Sequence, residues 1–201
     1  THGNKIAKYW MHNAFINFGN EKMSKSLGNV VYAKDMIAQY GGPVTRLVIL
    51  NAHYRQAVNF TEDTVKEAQQ VVSRMQMAYK QAALKLQSNG VDLDAGKPAY
   101  IAKFIEALAD DLNTANALAE LYNVLKDINQ AIRNKDADLN VLNDQFKTLT
   151  DMFYVLGLDI KFTKFDNDIS QLYKQYLESK ENKDFAKSDE IRKILIEKGV
   201  M

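Results

Sequence analysis

Residues 22–26, Lys22-Met23-Ser24-Lys25-Ser26, place two ammonium groups and two hydroxyls within five positions, and Leu27-Gly28-Asn29 follows. On a loop, the two lysines supply mobile cations and the two serines supply hydroxyl donors. Gly28 and Asn29 tolerate the positive φ of a tight turn. Such a set suits a clamp on a polyphosphate whose charge shifts during reaction, for instance a departing pyrophosphate. Met23 would anchor the clamp on the core. The glycine spacing of a P-loop is missing, so that mode of phosphate binding is not expected. The competing reading is a solvated basic turn.

The surrounding elements must hold this stretch. Before it, "YWMHNAFINF" at 9–18 is aromatic and β-branched and runs into the Gly19-Asn20 turn signal. No acidic or hydroxyl partner stands near His12 in sequence, so His12 and Trp10 read as packing residues rather than catalysts. After it, "YAKDMIAQYGG" predicts a short helix stopped by Gly41-Gly42, and Pro43 suits the first turn of a helix through "PVTRLVILNAHYR". From Thr61, a good N-cap, Val65, Ala68, Val72, Met75, Tyr79, Ala82 and Leu86 recur at helical spacing.

Three further stripes follow. Pro98 opens one with Ile101, Phe104, Ile105 and Leu108 inward, and "DDLNT" at 110–114 breaks it. Leu118, Leu121, Tyr122, Leu125, Ile128 and Ile132 form the next. Leu142, Phe146, Leu149, Phe153 and Leu156 form the last, closed by Gly157. Stripes of this kind are bundle core. After the polar break "KFTKFDND" comes a final helical pair, with Ile169, Leu172, Tyr173 and Tyr176 on one helix and Phe185, Ile191, Ile194 and Leu195 on the other. A hairpin of about 35 residues has too little core to stand alone and should lean on a neighbour.

The fold class expected is therefore mainly α. Residues 1–42 carry the lysine stretch, 43–160 form an antiparallel helical bundle, and 161–201 form a small helical hairpin. At 201 residues with 46% apolar and 25% charged content, the chain has ample material for a core. It contains no cysteine, which rules out disulfides and thiolate metal sites within it. No apolar run reaches the ~20 residues of a membrane span. The net charge of +1 conceals a basic end: residues 1–60 hold seven Lys/Arg against Glu21 and Asp35, together with all three histidines. A local anionic partner fits that asymmetry better than general polyanion binding.

Lys22-Met23-Ser24-Lys25-Ser26 is similar, residue for residue, to the nucleotide-binding signature of class I aminoacyl-tRNA synthetases, the KMSKS loop. "YWMHNAF", "LVILNAHYRQAVNFTED" at 47–63, "DDLNTANAL" at 110–118 and "DFAKSDEIRKILIEKGV" at 184–200 together resemble the cysteinyl-tRNA synthetases. The order matches and nearly the whole chain is covered. The match is looser beyond residue 160, where Ser188 replaces a usual alanine.

The resemblance implies a ligase that activates cysteine with ATP and Mg2+ and passes it to tRNA(Cys), in the cytoplasm. Residues 1–42 would end its catalytic domain, 43–160 would be a DALR-type, tRNA-binding bundle, and 161–201 would be part of an anticodon-binding region. Lys25 would contact ATP, with Lys22 as a second catalytic cation and Met23, Ser24 and Ser26 completing the ATP-binding loop. Arg46 and Arg55, on the helix leading into the bundle, and Lys187, Arg192 and Lys193, in the last helix, would face tRNA, with surface salt bridges or a solvated face as the competing roles. His53-Tyr54-Arg55 would pack between bundle and catalytic core.

The family's His-x-Gly-His signature and its Zn2+ site of Cys, His and Glu ligands are not in this sequence, and His2 is not taken for a ligand. The expectation is a C-terminal fragment, inactive by itself, whose partner is an N-terminal Rossmann catalytic domain carrying the Zn2+. The alternatives are a paralogous ligase joining cysteine to an amino sugar, and a free-standing helical module that binds tRNA or protein.

Overall fold

The computed structural model describes residues 6–18, 21–22, 28, 30–162 and 165–200. Among them are eight α-helices and three short strands. Strand β1 (Ile16–Phe18) lies between β2 (Glu21–Lys22), antiparallel to it, and β3 (Val58–Phe60), parallel to it. Between β2 and β3 run α1 (Ala33–Tyr40) and α2 (Gly42–Leu50). Gly41, at φ 85°, makes the corner between the two helices, and Pro43 occupies the first turn of α2, where a missing N–H costs nothing.

The longest helix, α3 (Glu62–Ser88), opens with a reciprocal cap: Thr64 N–H donates to Thr61 Oγ1, and Thr61 N–H donates to Thr64 Oγ1. It packs against α2, α5 (Thr114–Arg133), α6 (Leu139–Leu156) and α7 (Asn167–Glu181). The short α4 (Ala102–Ala109) lies on α5, and α7 pairs with α8 (Phe185–Glu197).

The main core gathers Leu47, Met75, Phe104, Leu121, Ile128 and Leu149, all fully buried. Tyr79 stacks on Phe146 at 4.5 Å and meets Phe162 edge-on at 5.3 Å, while its hydroxyl pairs with Thr150 Oγ1 at 2.8 Å. That hydroxyl needs a partner because the ring is buried. A second core holds Leu84, Tyr173, Tyr176, Ile191, Leu195 and Val200. Leu84 lies off the periodic stripe of α3, on the face that receives the final hairpin, so the hairpin does lean on its neighbour.

Several sequence expectations need correction. The helix beginning at Pro43 stops at Leu50 rather than running through Arg55, because residues 51–56 fold into turns. The helix expected from Pro98 begins at Ala102. The residues before it are tied to α6 instead, with Lys97 N–H donating to Asp144 Oδ1 and Tyr100 N–H to Thr148 Oγ1. Ile105, Tyr122 and Phe185 are exposed, Phe185 by 68%: each stands at the edge of its apolar face. Trp10 is 69% exposed and His12 is exposed, so neither packs into the described core. Of the segment 9–18, only 16–18 is strand.

Candidate functional site

Residues 23–27 lie outside the described residues, so Met23, Ser24, Lys25 and Ser26 take their place from the sequence alone. The backbone leading to them is defined. Lys22 sits in β2 opposite Asn17 of β1, and Val58 N–H donates to Phe15 O where β3 joins β1. The lysine stretch therefore leaves the edge of a three-stranded sheet whose other edge runs directly into α3.

A polar cluster joins this sheet to the bundle. The turn before β3 presents His53, Tyr54 and Arg55 to the loop between α4 and α5. Tyr54 Oη donates to Asp111 Oδ1 at 2.6 Å. Arg55 grips the same carboxylate twice, Nε to Oδ2 at 2.7 Å and Nη2 to Oδ1 at 3.2 Å. His53 Nδ1 accepts from Arg55 N–H at 3.3 Å, which leaves the proton on Nε2 to donate to Asp111 O at 2.9 Å. Thr114 Oγ1 adds a bond to Ala52 O at 3.4 Å. Both neighbours lie close to the Tyr54 ring, with the Arg55 guanidinium 4.9 Å from its centroid and the tilted His53 ring at 4.6 Å.

The donors from Arg55 and Tyr54 hold the Asp111 carboxyl down at about 2 from its ordinary 3.8. The same contact pushes the Tyr54 hydroxyl up. The backbone here is strained. Asp111 and Leu112 both sit at positive φ, 53° and 54°, a conformation that costs a non-glycine residue roughly 1–3 kcal/mol and persists only where the surroundings impose it.

The expected RNA-facing cations are dispersed. Arg46 lies on α2, and its Nε donates to Leu156 O at 2.6 Å, capping the end of α6 beside Gly157, which is at φ 64°. Arg55 is in the turn rather than on a helix, and its guanidinium is engaged by Asp111. Lys187, Arg192 and Lys193 are exposed on α8, Lys187 and Arg192 flanking the buried stripe of Ser188, Ile191 and Leu195 on either side and Lys193 opposite it.

Sequence reasoning gave Asp111 no role. Its signal was the aspartate pair of "DDLNT", but the partners stand 56 to 58 residues away. Lys85 was also missed. It is 8% exposed and donates to Ala131 O at 2.8 Å, closing the end of α5, and burial pushes its ammonium pKa down. It borders a cleft of about 550 Å³ between α3, the end of α5 and α7, where Arg133, Lys135, Lys180, Tyr173 and Tyr176 also lie. Among the described residues, no three His, Asp or Glu side chains are grouped as metal ligands would be, and no helix is long and apolar enough to cross a membrane.

Comparison with known proteins favours one of the readings. Residues 1–70 match the family model of the tRNA synthetases class I (C) catalytic domain, and residues 103–161 match the DALR domain. A cysteine–tRNA ligase of Bacillus cereus (strain B4264) is 37% identical over 207 residues, covering 99% of this chain and 44% of that protein. The cysteine–tRNA ligases of Bacillus thuringiensis (strain Al Hakam) and Bacillus anthracis (strain CDC 684 / NRRL 3495) are each 36% identical over the same shares. The chain is similar to these cysteine–tRNA ligases along nearly all of its length. It spans less than half the length of these curated relatives. The first family model takes in the sheet, the lysine stretch and the opening turns of α3, and the second takes in α5, α6 and nearly all of α4.

Proposed function

We propose that this chain serves in an ATP-dependent ligase that activates cysteine and transfers it to tRNA(Cys). The observation that carries the reading is the match to cysteine–tRNA ligases along 99% of the chain. In this reading residues 1–42 close the catalytic domain, 43–160 form the tRNA-binding bundle, and 161–201 belong to the anticodon-binding region. Lys22, Met23, Ser24, Lys25 and Ser26 close over Mg2+-bound ATP. The carboxylate of cysteine attacks the α-phosphorus, the bond to the β-phosphate oxygen breaks, and pyrophosphate leaves. Lys25 stabilises the negative charge gathering on that leaving group, with Lys22 as the second cation.

Lys187, Arg192 and Lys193 are exposed on α8, which suits contact with RNA phosphates. Arg46 and Arg55 have prior commitments to Leu156 O and Asp111, so any RNA contact from them is secondary. Zn2+ does not fit this chain, which has no cysteine to supply a thiolate, and would be held by residues of the longer protein. The enzyme would work in the cytoplasm, where ATP and tRNA are found.

The test is ATP–pyrophosphate exchange by the full-length ligase containing this chain. Exchange should require cysteine and should not be supported by serine. Exchange that ignores cysteine, or that needs another amino acid, would refute the assignment.

A further inference from the structure

Asp111 lies where the sheet side of the molecule meets the bundle, at the margin of a core that the two share through Phe60 of β3 and Leu47 of α2. On one side, the strained corner at Asp111 and Leu112 connects α4 to α5 and so belongs to the bundle. On the other side, the 53–55 turn belongs to the sheet. Tyr54 O accepts from Ala14 N–H at 2.8 Å, Ala14 leads into β1, and β1 pairs with the β2 strand that holds Lys22. Hydrogen bonds linked by short covalent stretches thus connect the Asp111 carboxylate through Tyr54 and β1 to β2, which ends at Lys22.

Side-chain exposure at Asp111 is 48% and at Arg55 is 61%, so the ion pair is screened and adds little to stability by itself. Its geometry is nonetheless highly specified. Three side-chain donor contacts meet one carboxylate, and a fourth donor meets the carbonyl of the same residue. Convergence of that kind on a backbone held at positive φ fixes a position rather than contributing bulk stability.

We propose that Asp111 is a positioning residue: its clasp on the 53–55 turn sets the bundle against the sheet, so that RNA held by the bundle reaches the aminoacyl group activated beside the lysine stretch. The proposal rests on the ligase reading above. Activation uses groups on the sheet side of the clasp, whereas transfer needs both sides in register. Loosening the clasp therefore slows transfer and spares activation.

Three variants separate the clasp from its backbone. Asp111→Gly relieves the positive φ but removes the carboxylate. Asp111→Ala removes the carboxylate and keeps the strain. Asp111→Asn tolerates the same φ and keeps an acceptor for Tyr54 Oη. In the 201-residue chain, Asp111→Gly should speed hydrogen exchange of the Ala14 amide at least tenfold and leave the Leu121 amide unchanged. In the full-length ligase, Asp111→Gly and Asp111→Ala should lower kcat/KM for tRNA charging by about 10- to 100-fold, as expected for a misplacement on the order of 1 Å. Cysteine-dependent ATP–pyrophosphate exchange should stay within about twofold, and Asp111→Asn should fall between wild type and Ala.

Wild-type charging by Asp111→Gly would overturn the clasp, since backbone conformation alone would then suffice. An equal loss of exchange and charging would also overturn it, by showing a general defect. If the wild-type ligase shows no cysteine-dependent exchange, the ligase reading fails, and the Ala14 measurement still decides whether the clasp exists.

Discussion

Arg46→Ala tests whether this arginine caps a helix or is held in reserve for RNA. Its Nε donates to Leu156 O, one of the carbonyls that the end of α6 leaves without a helical partner. A hydrogen bond from a charged donor contributes roughly 1.5–3 kcal/mol, and because Arg46 is exposed, screening reduces that to about 1–2 kcal/mol. Gly157→Ala strikes the same point from the other side. Its φ of 64° costs an alanine about 1–2 kcal/mol. The added Cβ would lie 2.8 Å from Arg46 Nε and 2.9 Å from Cζ, so the guanidinium must swing away and lose its bond. Gly157→Ala alone should therefore cost about 2–4 kcal/mol, with the lost cap included. The double variant should cost about 1–2 kcal/mol less than the sum of the singles, because the cap can be lost once only. Urea unfolding of the four proteins at pH 7 measures this. Additivity within roughly 0.5 kcal/mol, or a negligible cost for Arg46→Ala, would refute the cap.

Other consequences follow from burial and charge. Leu121→Ala, at a fully buried position, should cost about 2–5 kcal/mol in the same unfolding assay, and the retained structure should remain helical by circular dichroism. The Asp111 carboxyl is held below its unfolded value of 3.8, at about 2. Its contribution is therefore fully present above about pH 4 and is lost as pH falls toward 2. The difference in acid-unfolding behaviour between wild type and Asp111→Asn should accordingly shrink across that interval; a difference that grew as pH fell would have the wrong sign. Charge reversal of Lys187, Arg192 and Lys193 together should weaken binding of tRNA(Cys) and flatten its salt dependence, as measured by fluorescence anisotropy between low and physiological salt.

The helical part of this fold was legible because its signals are local. Thr61 with Thr64, the 3.6-residue recurrence from Val65 to Leu86, and Gly157 at the end of α6 all act within one or two turns of helix. Errors arose where distant residues compete with local preference. Pro98 is a good helix starter, yet the backbone on either side of it is taken by Asp144 and Thr148 of α6. Periodicity also assigned α3 a single apolar face, although Leu84 and Lys85 serve a second set of neighbours.

The candidate site divides along the same line. The lysine stretch is a contiguous five-residue pattern and could be found by inspection. The Asp111 clasp is built from residues more than fifty positions apart, in two segments that each resembled the family without revealing their contact. Arg46 and Arg55 read equally as RNA-facing cations or as surface ion-pair partners, because a sequence does not show where a guanidinium ends up.

Lys25→Ala in the full-length ligase tests the central claim most directly. If Lys25 meets the phosphates chiefly as pyrophosphate departs, its loss removes transition-state stabilisation and leaves ground-state binding nearly intact. The account predicts that kcat for cysteine-dependent ATP–pyrophosphate exchange falls by roughly 10²–10³, the scale of one preorganised donor, with little change in KM for ATP. Transfer from preformed cysteinyl adenylate to tRNA should continue at close to the wild-type rate, since pyrophosphate has already gone. An intact exchange rate, or a defect confined to the transfer step, would contradict the account.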